Sequence, residues 1–302
     1  MEWPLYLVAR ALVAFLQSLP LTWVARLGRA GGALACLLDR RHRRVALRNL
    51  EMCFGKEKSA AEIRALAREN FQRIGESFAC AVKTASMTDE ELRPHLECVA
   101  DASLTSPPTD RPMQVQVVAV GHFGNFELYA RLPSLSPPWK LATTYRGLRQ
   151  PLLNGLLLSL RRNSGCQYFE RRTETAELRQ ALNRPGLIVG LLADQHAGKG
   201  GLLAPFFGHE CSTTAAPAVL AARYHCALRV AICYRVALAK WRIEFGPEIP
   251  QRKEGQMRSI EELTREVNEA LEAAVRRDPA NWFWVHNRWR PEHRAKRVRP
   301  MN

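Results

Sequence analysis

No cysteine pair in this 302-residue chain has metal-ligand or redox spacing. Cys36, Cys53, Cys80, Cys98, Cys166, Cys211, Cys226 and Cys233 are never closer than seven positions, so there is no CxxC and no zinc knuckle. Most lie in apolar surroundings, which reads as reduced core thiols facing the cytosol rather than a disulfide framework. G-x-S-x-G is absent, and with it the nucleophile elbow. H-E-x-x-H, G-x-x-x-x-G-K-[ST] and G-x-G-x-x-G are absent too, and Gly198-Lys199-Gly200-Gly201 lacks the third glycine and the helix of a dinucleotide fingerprint. Metal hydrolysis, nucleotide hydrolysis and dinucleotide redox chemistry lose their support, and neither metal nor cofactor is expected. Acidic residues are scarce, 29 against 44 Lys+Arg, for a net charge of +15. That excess implies an anionic partner and says nothing about fold.

The charge is concentrated. Arg40, Arg41, Arg43, Arg44 and Arg48 form one cluster; Arg288, Arg290, Arg294, Lys296, Arg297 and Arg299 form another. Ahead of the first lies an apolar stretch, residues 3–24, interrupted by Arg10 and Gln17. It has neither a basic n-region nor a small-residue cleavage site, which argues against a cleaved signal peptide. Its length would span a bilayer, but Arg10 near the centre would be costly there. Leu5, Val8, Leu12 and Phe15 keep away from the Arg10/Gln17 face, and Trp3, Tyr6 and Trp23 are rings that favour the headgroup zone. A second apolar run, Leu27 to Leu38, leads straight into the arginines. The pattern reads as residues 1–39 forming a membrane-associated helical segment held by anionic headgroups, ahead of a domain over 40–302. A pair of core helices with a solvated basic end is the plainer alternative.

Residues 45–100 read as helical, and beyond a polar loop at 105–110 strands alternate with helices. Strands are expected at 115–120, 140–145, 166–169, 187–193, 227–236 and 241–245, and helices at 125–132, 151–162, 174–183, 213–224 and 259–276. Such alternation means an α/β layered domain. No repeat or low-complexity segment appears, and no linker is long enough to split the chain.

Gly121-His122-Phe123-Gly124-Asn125-Phe126-Glu127 stands between a predicted strand and a predicted helix. Sites in α/β sheets form beyond the carboxyl ends of strands. Glu127 lies about one turn past His122 and is placed to accept a hydrogen bond from its Nδ1, leaving Nε2 free as a base. Such a pair suits abstraction of a proton from an alcohol. The same residues also read as a capping histidine beside a solvated glutamate.

The block His122 to Glu127 resembles the HX4D/E motif of glycerolipid acyltransferases, and more closely the HFGNWE-type block of the bacterial lipid A biosynthesis acyltransferases. Further blocks follow in that family's order. Thr144-Tyr145-Arg146 with Pro151-Leu152-Leu153-Asn154, Leu192-Ala193-Asp194-Gln195, Pro205-Phe206-Phe207-Gly208 with Thr213, and Trp282 through Arg290 each match one, as does Arg43-Arg44 through Asn49-Leu50. The resemblance covers roughly residues 40–290. Phe126 stands where tryptophan is usual, and Asn287 where arginine is usual, although Arg288 and Arg290 remain as possible anion contacts.

The resemblance implies a glycerolipid acyltransferase-like fold, a mixed central sheet flanked by helices. It implies transfer of an acyl chain from an acyl carrier protein thioester to a hydroxyl of a lipid A precursor or related glycolipid, without an acyl-enzyme, at the cytoplasmic face of the bacterial inner membrane. His122 would be the base and Glu127 its orienting partner. Arg146 would hold the thioester oxyanion or a substrate phosphate, Arg171 an acceptor phosphate, and Asn125 and Asp194 would complete the substrate-binding set. Each arginine also reads as a paired strand-end cation, and Asp194 as a buried structural acceptor. A lysophospholipid acceptor, an acyl-CoA donor and an inert homologue are the alternatives. Nucleic acid is not an expected partner, because the basic clusters flank the domain and no recognised binding module is present.

Overall fold

The computed structural model describes residues 2–106, 112–132 and 139–290. Most of the polar loop expected at 105–110 and the basic residues 294–299 lie outside the described residues.

Four helices come first: α1 (Glu2–Ser18), α2 (Leu21–Leu38), α3 (Arg40–Phe54) and α4 (Ala60–Thr84). Asp39 caps α3 by accepting from the His42 amide at 3.0 Å, and Ser59 and Glu62 close a reciprocal capping box on α4. α2 packs on α4 through glycines. A Cβ on Gly28 would sit 2.6 Å from the Gly75 carbonyl oxygen, so only glycine permits this approach. Glu76, buried in α4, ties the layer together by accepting from Arg235 at 2.8 Å, the Ala239 amide at 3.0 Å and Arg29 at 3.4 Å.

α1 turns Leu16 inward and leaves Trp3, Leu5, Leu7, Val8, Leu12 and Phe15 more than half exposed. α2 likewise buries Val24, Ala25, Gly28 and Gly32 and exposes Trp23, Leu27, Leu34, Leu37 and Leu38. Both helices thus carry large apolar side chains outward, beside Arg10 on α1 and Arg26 on α2. Among the described residues no helix is long and apolar enough to cross a membrane.

Two short helices, α5 (Asp89–Leu92) and α6 (Ala102–Thr105), surround the first strand, and among the described residues the further α-helices are α7 (Pro151–Arg161), α8 (Thr175–Ala181), α9 (Ala216–Tyr224) and α10 (Ile260–Arg277). The central sheet has seven strands: β1 (Leu96–Val99), β2 (Gln116–Val120), β3 (Lys140–Tyr145), β4 (Cys166–Glu170), β5 (Leu187–Leu192), β8 (Ala227–Ala237) and β9 (Lys240–Phe245). Their order is β1-β9-β8-β2-β5-β3-β4, parallel except between β8 and β9, so the sheet is mixed and flanked by helices. β2 is buried along its whole length, as expected of a central strand covered on both faces.

Three elements differ from the sequence expectation. Residues 96–99, expected to be helical, form the edge strand β1 against β9. Thr213, expected to open a helix, ends β7 (His209–Thr213), which pairs with β6 (Leu202–Phe206). Phe207 and Gly208 make that turn with φ of 54° and 71°, the backbone a two-residue hairpin demands. The helix expected from Asn125 is a 3-10 helix, Phe126–Arg131. None of the eight cysteines is paired, and Cys36, Cys80, Cys211, Cys226 and Cys233 are buried.

Candidate active site

Parallel register brings the site together. Val120 on β2 pairs with Leu192 on β5, and the Ala193 amide donates to the Val120 carbonyl at 2.9 Å. Two residues beyond that pair stand His122 and Asp194. His122 Nδ1 lies 2.8 Å from Asp194 Oδ1. A carboxylate can only accept, so Nδ1 carries a proton, and in the neutral imidazole Nε2 has the lone pair. The Asp194 Oδ2 atom accepts from the His122 amide at 2.7 Å and from Trp282 Nε1 at 2.8 Å. Burial pushes the Asp194 carboxyl up, but the His122 charge and these donors outweigh it and hold it below the ordinary carboxylate value. Asp194 is therefore an ionised, buried support, with both oxygens turned to protein donors rather than to the cleft.

The hydrogen bond expected from His122 to Glu127 is not formed. Glu127 instead accepts from Arg161 Nε at 3.0 Å and from its Nη2 at 2.5 Å. The 3-10 turn carries Glu127 away from the imidazole toward α7. Arg161 also stacks over Tyr168, 5.0 Å from its ring centroid, and its Nη1 is not used by Glu127. Nothing in the local sequence marks Arg161, because its partner lies in another element.

His122 opens into a cleft of about 1020 Å³. Phe78, Val82, Leu157, Leu160, Leu192 and Val219 supply apolar walls, and Arg146, Arg161 and Arg171 supply charge. Arg146 follows β3 and Arg171 follows β4. The Arg171 amide donates to the Tyr145 carbonyl at 3.0 Å, so these two arginines leave the sheet side by side. With strands spaced about 4.8 Å apart, they stand roughly 10–15 Å along the sheet edge from His122. Asn125 is buried at the cleft floor, its amide donating to Thr84 Oγ1 at 3.3 Å. The Gln195 amide nitrogen lies 3.4 Å from His122 Nε2, the nitrogen that faces the cleft.

The C-terminal block braces this arrangement. Trp282 reaches Asp194, and Phe283 tilts against His122 at 5.8 Å between centroids. His286 Nε2 accepts from the His196 amide at 3.0 Å. Burial, with the charges of His122, Arg288 and His196 against that of Asp194, pushes His286 down to about 4, so it is neutral at pH 7. Arg288, a possible anion contact in the sequence, is fully buried and donates to the Gln195 and Ser212 carbonyls at 3.1 and 2.5 Å and to Thr213 Oγ1 at 2.7 Å. It is a structural brace. Asn287 accepts from Arg48 at 2.7 Å.

A histidine held by a buried carboxylate, opening into an arginine-rimmed, apolar-walled cleft, is an arrangement able to take a proton from a hydroxyl beside anionic groups. The chain belongs to the bacterial lipid A biosynthesis acyltransferase family, whose model matches residues 1–291, and is an acyltransferase. It is 27% identical over 278 residues to a lipid A biosynthesis palmitoleoyltransferase of Escherichia coli, covering 90% of this chain and 87% of the relative. The same figures hold for a lipid A biosynthesis acyltransferase of Shigella flexneri.

Proposed function

We propose that this acyltransferase moves a fatty acyl chain from an acyl carrier protein thioester to a hydroxyl of a lipid A precursor or related glycolipid, at the cytoplasmic face of the inner membrane. The observation that carries the reading is His122, held by Asp194 through Nδ1, with Nε2 open to the cleft. The acceptor hydroxyl takes the place of the Gln195 amide at Nε2. His122 removes its proton as the oxygen attacks the thioester carbonyl carbon, and Asp194 balances the imidazolium. The C–O bond forms, the C–S bond breaks, and the proton passes from His122 to the leaving thiolate. General-base assistance of this kind is worth about 10²–10⁴-fold. No acyl-enzyme lies on this path.

The oxyanion and the acceptor phosphates call for cations. Arg146 and Arg171 line the cleft to supply them, and Arg161, fixed by Glu127, lines the same space. Glu127 thus acts by positioning Arg161, and Asn125 completes the floor beneath the acceptor. α1 places the cleft at the lipid. The Leu152 amide at the start of α7 donates to Glu2 Oε1 at 2.8 Å, and Gln17 Nε2 donates to the Val82 carbonyl on α4 at 3.2 Å. The helix therefore bridges both walls of the cleft with large apolar side chains outward, so residues 1–39 seat the domain over 40–302 on the membrane surface.

The test is direct. Purified protein in mixed micelles with an acyl carrier protein thioester should add one acyl chain to a phosphorylated lipid A precursor, read by mass spectrometry. Acylation of lysophospholipid in preference to the glycolipid, or use of acyl-CoA in preference to the carrier thioester, would overturn the assignment.

A further inference from the structure

Away from the catalytic cleft, α2, α3 and α4 enclose a groove with an apolar floor and a cationic rim. Ala33, Cys36, Leu37, Leu47 and Ala67 form the floor of a recess of about 390 Å³. Arg43, Arg64 and Arg68 stand around it. Arg43, Leu47 and Arg64 also line an adjoining recess of about 540 Å³, to which Arg40, Arg44 and Arg48 contribute. Arg43 is fixed there by donating to the Cys36 and Leu37 carbonyls at 2.6 and 3.0 Å. Burial pushes the Cys36 thiol up, against the pull of the nearby Arg43 and Arg68 charges. Among the described residues Arg40, Arg44, Arg64 and Arg68 have no ion-pair partner, and Glu51 is the one carboxylate that lines either recess.

We propose that this groove is a second amphiphile site, which binds one phosphate-bearing lipid of the membrane outside the catalytic cleft. Unpaired arginines around an apolar floor match a phosphate joined to an acyl chain. A folded acidic protein would meet the rim and leave the recessed floor unfilled. The groove is continuous with the outward apolar side chains of α2, where Leu37 and Leu38 are 67% and 71% exposed, so a lipid reaches it without leaving the bilayer surface. In this respect the inference rests on the membrane-seated reading of α1 and α2. Occupancy would also steady the site. Asn49 on α3 donates to the Trp284 and His286 carbonyls at 3.0 and 2.8 Å, tying the groove's own helix to the block that supports Asp194.

The experiment uses full-length protein in neutral detergent, titrated with dihexanoyl-phosphatidylglycerol below its micelle concentration and followed by native mass spectrometry and thermal shift. One lipid should bind per chain and raise the melting temperature. Loss of two headgroup contacts in R64Q/R68Q should weaken binding by about tenfold or more. R26Q/R41Q, which removes equal charge outside the groove, should leave binding unchanged. Ala33→Phe, which fills the floor at constant charge, should weaken binding as R64Q/R68Q does and keeps the test open if that variant misfolds. Equal losses in the two double variants, equal competition by inorganic phosphate, or displacement of the lipid by an acidic carrier protein would overturn the site. Sedimentation with phosphatidylcholine vesicles tests the apolar seating separately: failure there sinks the membrane reading, whereas failure to bind the lipid in detergent sinks this proposal alone.

Discussion

Asp194→Asn preserves shape at the centre of the site and inverts its proton logic. Asp194 Oδ2 accepts two hydrogen bonds, from the His122 amide and Trp282 Nε1, so the asparagine carbonyl must remain there. The new NH2 group then occupies the Oδ1 position, 2.8 Å from His122 Nδ1. Two donors cannot face each other, so His122 shifts its proton to Nε2 and loses the lone pair that would take the hydroxyl proton. The corresponding exchange behind a catalytic histidine in serine proteases costs about 10⁴-fold. A loss of about 10³–10⁴-fold in kcat is therefore expected, or roughly 4–5.5 kcal/mol of barrier. The acceptor KM should change little, because Asp194 faces protein donors. The assay is acyl transfer by purified protein with saturating thioester, alongside circular dichroism and a melting curve to show that the fold survives. A folded Asp194→Asn enzyme with kcat within threefold of wild type would refute the reasoning.

Other expectations follow from neighbouring contacts. Glu127→Gln weakens the hold on Arg161 and should raise KM for a phosphorylated acceptor more than it lowers kcat, with the pH profile of kcat unmoved; a shifted profile would mean that Glu127 acts on His122. Arg146→Ala should cost more activity than Arg146→Lys, since lysine keeps the charge and loses the planar fork; equal activity in both variants and wild type would make Arg146 a surface cation. The folded protein holds His286 near 4 against an ordinary 6.5, so its contribution to stability is complete above pH 6.5 and is lost as pH falls toward 4. Denaturant midpoints at pH 7.5, 6 and 5 should therefore fall more steeply for wild type than for His286→Gln, whereas parallel curves would contradict the assignment.

Much of the fold was legible because its signals are local. The β-branched run ending at Gly121, the Pro-led α7 and the strand before Asp194 all appear in order, and each is fixed by residues within a few positions of itself. The partner of His122 was not legible. Glu127 is five residues away and reads as its neighbour, but Asp194 is brought there by the β2–β5 register, a long-range pairing that local periodicity does not encode. Arg161 was missed for the same reason, since it meets Glu127 across two elements. The aromatic C-terminal block was visible as a motif, but its work of donating to Asp194 and burying Arg288 appears only once the chain has closed on itself. Residues 96–99 were hidden differently: with Glu97 and Cys98 on an edge, they carry little strand signal without β9 beside them.

The central claim, that the acyl group passes directly from thioester to lipid hydroxyl with His122 as the base, is tested most directly by a single-turnover experiment with acyl-labelled carrier thioester and glycolipid acceptor. Wild-type protein should move label into lipid with no labelled protein at any time point, and folded His122→Ala protein should move essentially none. Label accumulating on the wild-type chain, or near-normal transfer by His122→Ala, would contradict it.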